Sequence, residues 1–410
     1  MKLIYLVPFC LFLCHSELQA QCERAKMVSD YETYYLGSNV SSQDLKWTGN
    51  ADACTPGQIS PLAIDRMMIR LNYFRRLAHV SSEIHLDTAL TKMCQEAAVM
   101  MHKNNKLSHD PPESWTCYTD DGRKAASKSN LALGAHSVNA LSLYMRDPGA
   151  KNGAVGHRRW ILYSRAKDIG LGSTSRAHAM YVIHNRQDAP DDLDYVTYPS
   201  EGFFPAALLP ERWSFSKPRA KFGDASVIMM DTDGNSIPVT VLEVKNGFGD
   251  NTIVWEPEQG LIDRNKPYDQ DFDVFIADVG IKDSMISFSY RVTLAPVVHP
   301  PECESGSAWL EEDCACVQAQ TTSITGRQIL DIHPYPNPAS EYVIISDEDL
   351  NRLTEETTAR LYDIYGRSIQ QWDKGTLKRG LPVHQIPNGM YILKIQDKQL
   401  TSSIRLRILH

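Results

Sequence analysis

The feature that most constrains this chain is a change of hydrophobic period partway along it. Ile64, Met67, Met68, Leu71, Phe74 and Leu77 recur at spacings of three and four, which puts them on one face of a helix. From residue 226 onward the period drops to two. Phe272, Val274 and Ile276 alternate with polar residues, and so do Ile286, Phe288, Tyr290, Val292 and Leu294. Neither pattern can adopt the other's secondary structure and still bury its apolar face. The chain must therefore join a helix-rich block to β-rich ones, a multidomain α+β protein.

The first block covers residues 60–190. Ser60 reads as an N-cap with Pro61 at the first helical position. A second helix starts near Asp87 and turns Leu90, Met93, Cys94, Ala97 and Met101 inward. A third covers about 137–146 and is stopped by Asp147-Pro148-Gly149. Residues 168–173 and 178–184 have strand character. The second block, 191–298, has strands at 226–230, 237–244 and 252–255, with turn chemistry at Asp233-Gly234-Asn235 and Asn246-Gly247, and reads as an all-β sandwich. Asp231–Asn235 fits a hairpin turn, because its glycine is misplaced for a calcium loop. A Pro-, Cys- and Thr-containing linker, 299–326, leads to a third block, 327–410. That block is read as all β, with strands at 342–345, 359–365, 389–395 and 403–409.

Charge and targeting narrow the function classes. The 410 residues carry a formal charge of −8, which excludes nucleic-acid binding by bulk charge. Residues 60–189 alone carry +7 and eight of the 13 histidines, so titratable chemistry belongs there. Lys2, an apolar run over 3–14 and Leu18-Gln19-Ala20 form a secretory signal peptide, residues 1–20, too short for the ~20 residues of a membrane span. Acylation of Cys14 or Cys22 is the rival, weakened because neither follows a small residue. An N-terminal extension, 21–59, follows. No later stretch reads as transmembrane. In an oxidising compartment, proximity in sequence pairs Cys94 with Cys117, Cys22 with Cys54, and Cys303 with Cys314 or Cys316. Cys314-Ala315-Cys316 lacks zinc spacing, so no structural metal is expected.

Three segments of the first block together resemble the CAP superfamily of cysteine-rich secretory proteins, antigen 5 and pathogenesis-related proteins. They are Lys106-Leu107-Ser108-His109, Ser129-Asn130-Leu131-Ala132 and Val155-Gly156-His157-Arg158-Arg159-Trp160. The resemblance covers about 130 residues and fits the bacterial secreted branch. It implies an α-β-α sandwich with a shallow cleft holding His109 and His157, flanked by Ser129 and Asn130. Many relatives complete such a cleft with two glutamates that can hold zinc. Here Ser129 occupies the first of those positions, and Asp147 is the only acid between Ala132 and Ala154. Zinc is therefore disfavoured, no cofactor is expected and no catalytic residue is assigned. In the plainer reading, His109 ties down a loop and the Gly-His pair orders a helix start.

The third block resembles the type A C-terminal sorting domain of the type IX secretion system of Bacteroidota. The resemblance rests on Tyr335-Pro336-Asn337-Pro338-Ala339, Leu361-Tyr362-Asp363-Ile364-Tyr365-Gly366-Arg367 and Ile386-Pro387-Asn388-Gly389-Met390-Tyr391. It implies that residues 327–410 engage the secretion machinery of a Gram-negative bacterium and that the protein is released or anchored at the surface. The middle block is similar to β modules that follow bacterial CAP domains, and both β blocks are read as immunoglobulin-like. Phe203, Phe204 and Trp213 form either a carbohydrate platform or packing against the first block. Three functions follow: a non-catalytic module binding an anionic lipid, glycan or other surface ligand; a peptide or ester hydrolase using the His109/His157 cleft; and a structural or adhesive protein.

Overall fold

The computed structural model describes residues 20–80, 84–190, 193–297, 307–310, 315–318, 332, 334–337, 339–363, 368–398 and 400–409. The signal-peptide expectation for the first 19 residues and the pairing of Cys303 with Cys314 fall outside them. The chain divides into two compact units, residues 1–318 and 319–410. Among the described residues no helix is long and apolar enough to cross a membrane.

Local capping sets the helices of the first unit. Helix α1 (Pro61–Leu77) starts where the Ser60 hydroxyl accepts from the Ala63 N–H. Helix α2 (Thr88–Asn104) starts at Asp87, whose carboxylate accepts from the N–H groups of Ala89 and Leu90. Helix α3 (Asp120–Lys128) was not expected. Its buried residues are only Gly122, Ala125 and Ala126, too few for a periodic apolar signal, although the Thr119 cap and two following aspartates mark its start. Helix α4 (Ser137–Arg146) ends at Asp147, which takes a left-handed conformation at φ 46°. Helix α5 (Gly156–Ile161) follows.

These helices cover both faces of one sheet. Strands β1 (His85–Leu86), β2 (Ser129–Leu133), β3 (Asp168–Ser173) and β4 (Ala177–Tyr181) pair in the order β1-β3-β4-β2, parallel only between β1 and β3. Successive side chains leave a strand on opposite faces. Leu131, Ala179 and Tyr181 accordingly join Leu90, Cys94 and Ala97 of α2 and Ala125 of α3. Ala132 and Met180 join Leu71 and Phe74 of α1 and Leu141 and Tyr144 of α4. Helix α2 lies so close to β3 that a Cβ on Gly172 would overlap the backbone of Cys94 and Gln95. This close approach explains a glycine within a buried strand.

The β-rich part of this unit is built from β5 (Val196–Tyr198), β6 (Gly202–Pro205), β7 (Trp213–Ser216), β8 (Ser226–Asp231), β9 (Ser236–Ile237), β10 (Val239–Val241), β11 (Thr252–Pro257), β12 (Gln270–Ile281) and β13 (Ser284–Ala295). They form two sheets, ordered β10-β11-β7-β5 and β6-β13-β12-β8-β9. The strand expected at 237–244 is split at Pro238, which has no N–H to give a ladder. Phe204 and Trp213 are fully buried, so they pack a core and offer no platform to a glycan. Tyr198, Phe204, Trp213 and Phe215 share one apolar cluster with Leu71 and Phe74 of α1. A short hairpin, β14 (Ser307–Leu310) with β15 (Ala315–Gln318), follows.

The second unit has its own core, which includes Val343, Leu361, Leu393 and Leu406. Its strands are β16 (Tyr342–Val343), β17 (Thr358–Asp363), β18 (Ser368–Asp373), β19 (Leu381–Pro382), β20 (Gly389–Asp397) and β21 (Leu400–Ile408). Four of them pair in the order β18-β17-β20-β21, and β16 pairs with β19. The expectation of an all-β block needs correction. Two short helices, α6 (Asp347–Asn351) and α7 (Lys374–Arg379), are nucleated by the side-chain caps Ser346 and Asp373. The protein is thus a mixed α/β chain with several sheets.

The cysteine pairing also differs from the expectation. Cys54 bonds Cys117 across a separation of 63 residues, and Cys94 is free and buried. Proximity in sequence misled because Cys94 faces inward from α2, its Sγ 3.8 Å from the Ser129 hydroxyl. Cys117, in the loop after α2, reaches back to the N-terminal extension instead. Cys22 is disulfide-bonded too, but not to Cys54.

Three predictions follow from this packing. Cys54→Ser should lower unfolding stability by about 2–4 kcal/mol, the usual effect of opening a loop of that length, read by urea denaturation. In the native protein Cys94 should resist iodoacetamide at pH 8, because burial pushes its thiol up to about 12. Alkylation of Cys94 without unfolding, detected by peptide mass spectrometry, would contradict the packing. His178 of β4 is fully buried, and desolvation pushes its imidazole down to about 3. The unfolded chain therefore takes up a proton near pH 6.5 that the folded chain refuses, and stability falls as pH drops from there toward 3. Each pH unit should cost about 1.4 kcal/mol from this group. His178→Gln should flatten that slope in thermal melts between pH 6 and 4.

Candidate functional site

Asp147 organises the most elaborate polar cluster of the first unit. The stop signal after α4 leaves its side chain buried beneath the start of α5. There its carboxylate accepts from the His157 backbone N–H at 2.9 Å and from His157 Nδ1 at 2.8 Å. One residue thus caps the helix and orients the imidazole. With Nδ1 carrying the proton toward the carboxylate, Nε2 of the neutral ring is left as an acceptor. The ring stacks on Tyr144 of α4, with centroids 5.3 Å apart and planes at 17°. The Tyr144 hydroxyl donates to the Asn130 carbonyl at 3.0 Å and lies 3.1 Å from His178 Nδ1. Asn130 closes the ring of contacts by donating from Nδ2 to the His157 carbonyl at 3.0 Å.

The residues singled out from sequence separate here. His157 and Asn130 come together. Ser129, their expected neighbour, precedes Asn130 on β2 and so faces the other side of the sheet, toward Cys94. His109 is exposed, and its Nδ1 lies 2.8 Å from the Ala126 carbonyl of α3. That bond fastens the loop after α2 to α3. No hydrogen bond links His109 to His157, Ser129 or Asn130 among the described residues. In sequence Asp147 reads as a helix stop and as the single acid between Ala132 and Ala154. Its tie to His157 spans ten residues and a loop, which no periodic signal carries.

A zinc site needs three or more protein ligands. Among the described residues no group of three His, Cys, Asp or Glu side chains converges. His157 and Asp147 are committed to each other through Nδ1, which leaves Nε2 as the one outward donor atom of the pair.

The cluster is held from beneath by arginines of the same motif. Arg158 is fully buried. Its Nε donates to the Met145 carbonyl at 2.7 Å and its Nη1 to the Arg212 carbonyl at 2.8 Å. Arg212 in turn donates to the carbonyls of Asp147 and Gly149, each at 3.1 Å. Arg159 reaches the carbonyls of Lys245 and Asp250. Gly156 is required because a Cβ there would press on the Phe248 ring. The β-rich part therefore supports the start of α5 and the histidine it carries.

Known proteins agree with two parts of this chain. Residues 68–185 match the model of the cysteine-rich secretory protein family (CAP), and residues 333–408 match that of the secretion system C-terminal sorting domain. No protein of curated function matches the sequence. Among solved structures, the periplasmic chaperone SfaE overlaps 54% of this chain and 93% of its own at 10% identity and a TM-score of 0.17. Dimeric latent PorU from Porphyromonas gingivalis overlaps 57% of this chain and 23% of its own at 11% identity and a TM-score of 0.14. Such scores establish no shared fold. The family matches and the sequence motifs agree: the chain carries a CAP domain over residues 68–185 and a type IX secretion C-terminal sorting domain over 333–408, which marks it for secretion or cell-surface attachment.

Proposed function

We propose that this is a non-catalytic binding protein of a bacterial surface or its medium, whose first unit takes an anionic lipid headgroup or glycan. The observation that carries this reading is the position of Ser129. Covalent catalysis by an oriented imidazole needs a side-chain nucleophile within reach, ~2.6–3.2 Å. Ser129 lies instead against Cys94 inside the sheet-helix core. The surplus of seven positive charges over residues 60–189 favours an anionic ligand. The reading includes no resident metal. It takes residues 1–20 as a signal peptide, the modules 191–298 and 327–410 as immunoglobulin-like sandwiches, 299–326 as the linker, and the host as one of the Bacteroidota.

One observation favours a hydrolase as the second reading. His157 is held by a buried carboxylate in the way a general base is held, with Nε2 free to take a proton from water. A panel of peptide and ester substrates separates the two. The binding reading expects no turnover above buffer, and turnover that His157→Ala abolishes would establish the hydrolase. Labelled anionic glycans and lipid vesicles should bind the full mature chain with an affinity that falls as salt rises. Affinity indifferent to salt would remove the electrostatic basis.

Export is tested separately. A chain ending at residue 326 keeps the whole of the first unit, so it should fold and accumulate in the periplasm of the native host. Its appearance in the medium at the full-length level would refute the role given to residues 327–410.

A further inference from the structure

Arg70 projects from α1 into an open cleft of about 540 Å³, within the ~300–1,000 Å³ typical of ligand sites. Only 1% of Arg70 is exposed. Its Nε donates to the Ser38 hydroxyl at 2.8 Å and its Nη1 to the Ser142 hydroxyl at 2.7 Å. Nη2 donates to the Tyr35 carbonyl at 2.6 Å and to Asn39 Oδ1 at 2.8 Å. The guanidinium also lies 3.8 Å from the centroid of the Tyr35 ring. All of these partners are neutral, and the second N–H of Nη1 has no acceptor among the described residues. Burying a cation without a counter-charge is costly. Burial lowers the Arg70 pKa, and its neighbours Tyr35, Tyr31 and Tyr73, neutral at pH 7, supply no counter-charge there.

Two more arginines line the same cleft, Arg146 at the end of α4 and Arg264 between β11 and β12. Both are exposed, and neither side chain has a hydrogen-bond or ion-pair partner among the described residues. No aspartate or glutamate lines the cleft. Three guanidinium groups thus share one concavity with no carboxylate. Guanidinium forks match oxyanions better than any other side chain does.

We propose that this cleft binds a small oxyanion-bearing ligand, a carboxylated or phosphorylated sugar or headgroup, with Arg146 and Arg264 bonding the oxyanion above the buried charge of Arg70. The proposal rests on the binding reading and gives it a location distinct from the His157 cluster.

Calorimetric titration of the full mature chain with inorganic phosphate, glucuronate and neutral glucose tests it, with phosphatidylglycerol and phosphatidylcholine vesicles as the lipid arm. Phosphate or glucuronate should bind, glucose should not, and binding should weaken as salt rises. The double variant Arg146→Gln/Arg264→Gln, whose exposed positions should leave the melting temperature unchanged, should lose about tenfold or more in affinity. Binding to phosphatidylglycerol alone would identify the source as a headgroup, provided the double variant loses it too. Anion binding that the double variant leaves unchanged would overturn the cleft while sparing the binding reading. Absence of binding to both anions and to phosphatidylglycerol would also overturn the cleft. The binding reading itself would then stand or fall on the glycan and vesicle assays with salt.

Discussion

The arrangement around the histidine depends on one buried carboxylate, that of Asp147. A carboxylate removed from water must be paired or hydrogen-bonded, or it destabilises the fold by several kcal/mol. Asp147 meets that demand by accepting from the His157 backbone N–H and from its ring. It thereby fixes where α5 begins and which way the imidazole faces. Its carbonyl accepts from Arg212, and Arg158 crosses from α5 to the last carbonyls of α4 and on to the Arg212 carbonyl. The end of α4, the start of α5 and strand β7 are therefore locked by a single hydrogen-bond network. A residue that looks like a helix stop signal is the keystone of the cluster.

That double role shows what the sequence could and could not convey. Ser60, Asp87 and the Asp147-Pro148-Gly149 stop are local signals, since capping acts within one turn, and the helices begin and end where these residues place them. The opposite facing of Ser129 and Asn130 was also available in principle. It follows from the two-residue period once 129–133 is known to be a strand, but a five-residue segment that opens Ser-Asn between two helices does not announce itself as one. The Cys54–Cys117 bond and the Asp147–His157 pair were out of reach for another reason. Both join segments that only the finished packing brings together. Buried arginines were hidden as well, because Arg70, Arg75 and Arg158 read as polar positions that interrupt an apolar face.

Division by composition and division by packing also gave different answers for the first 318 residues. The change of character near residue 190 is real, with helices before it and two sheets soon after, antiparallel except where β6 pairs with β13. Yet the apolar residues on both sides belong to one cluster, and the arginines of α5 end on carbonyls of the β-rich part. Period reports secondary structure, and a cooperative unit is defined by shared burial. Residues 333–408 show the converse, since the described part of the second unit draws its core from its own strands and helices alone.

The placement of the arginines changes what the +7 of residues 60–189 means. Arg70, Arg75, Arg158 and Arg159 contribute four of those positive charges, and all four are buried. Arg70, Arg158 and Arg159 bond to carbonyls, hydroxyls and an amide oxygen rather than to carboxylates. Their charge is therefore solvated by dipoles but not cancelled. A surface dominated by solvated lysines would attract anions weakly and everywhere, and salt would screen it. Buried charges are screened less, and a concavity with low-dielectric walls focuses their field. The cleft above Arg70 is such a concavity, and the two unpaired guanidinium groups on its lining are where that field can be met by a ligand. Of the basic residues in 60–189 only Arg70 and Arg146 line that cleft, where Arg264 joins them, whereas Arg158 and Arg159 spend their charge on the carbonyls beneath His157.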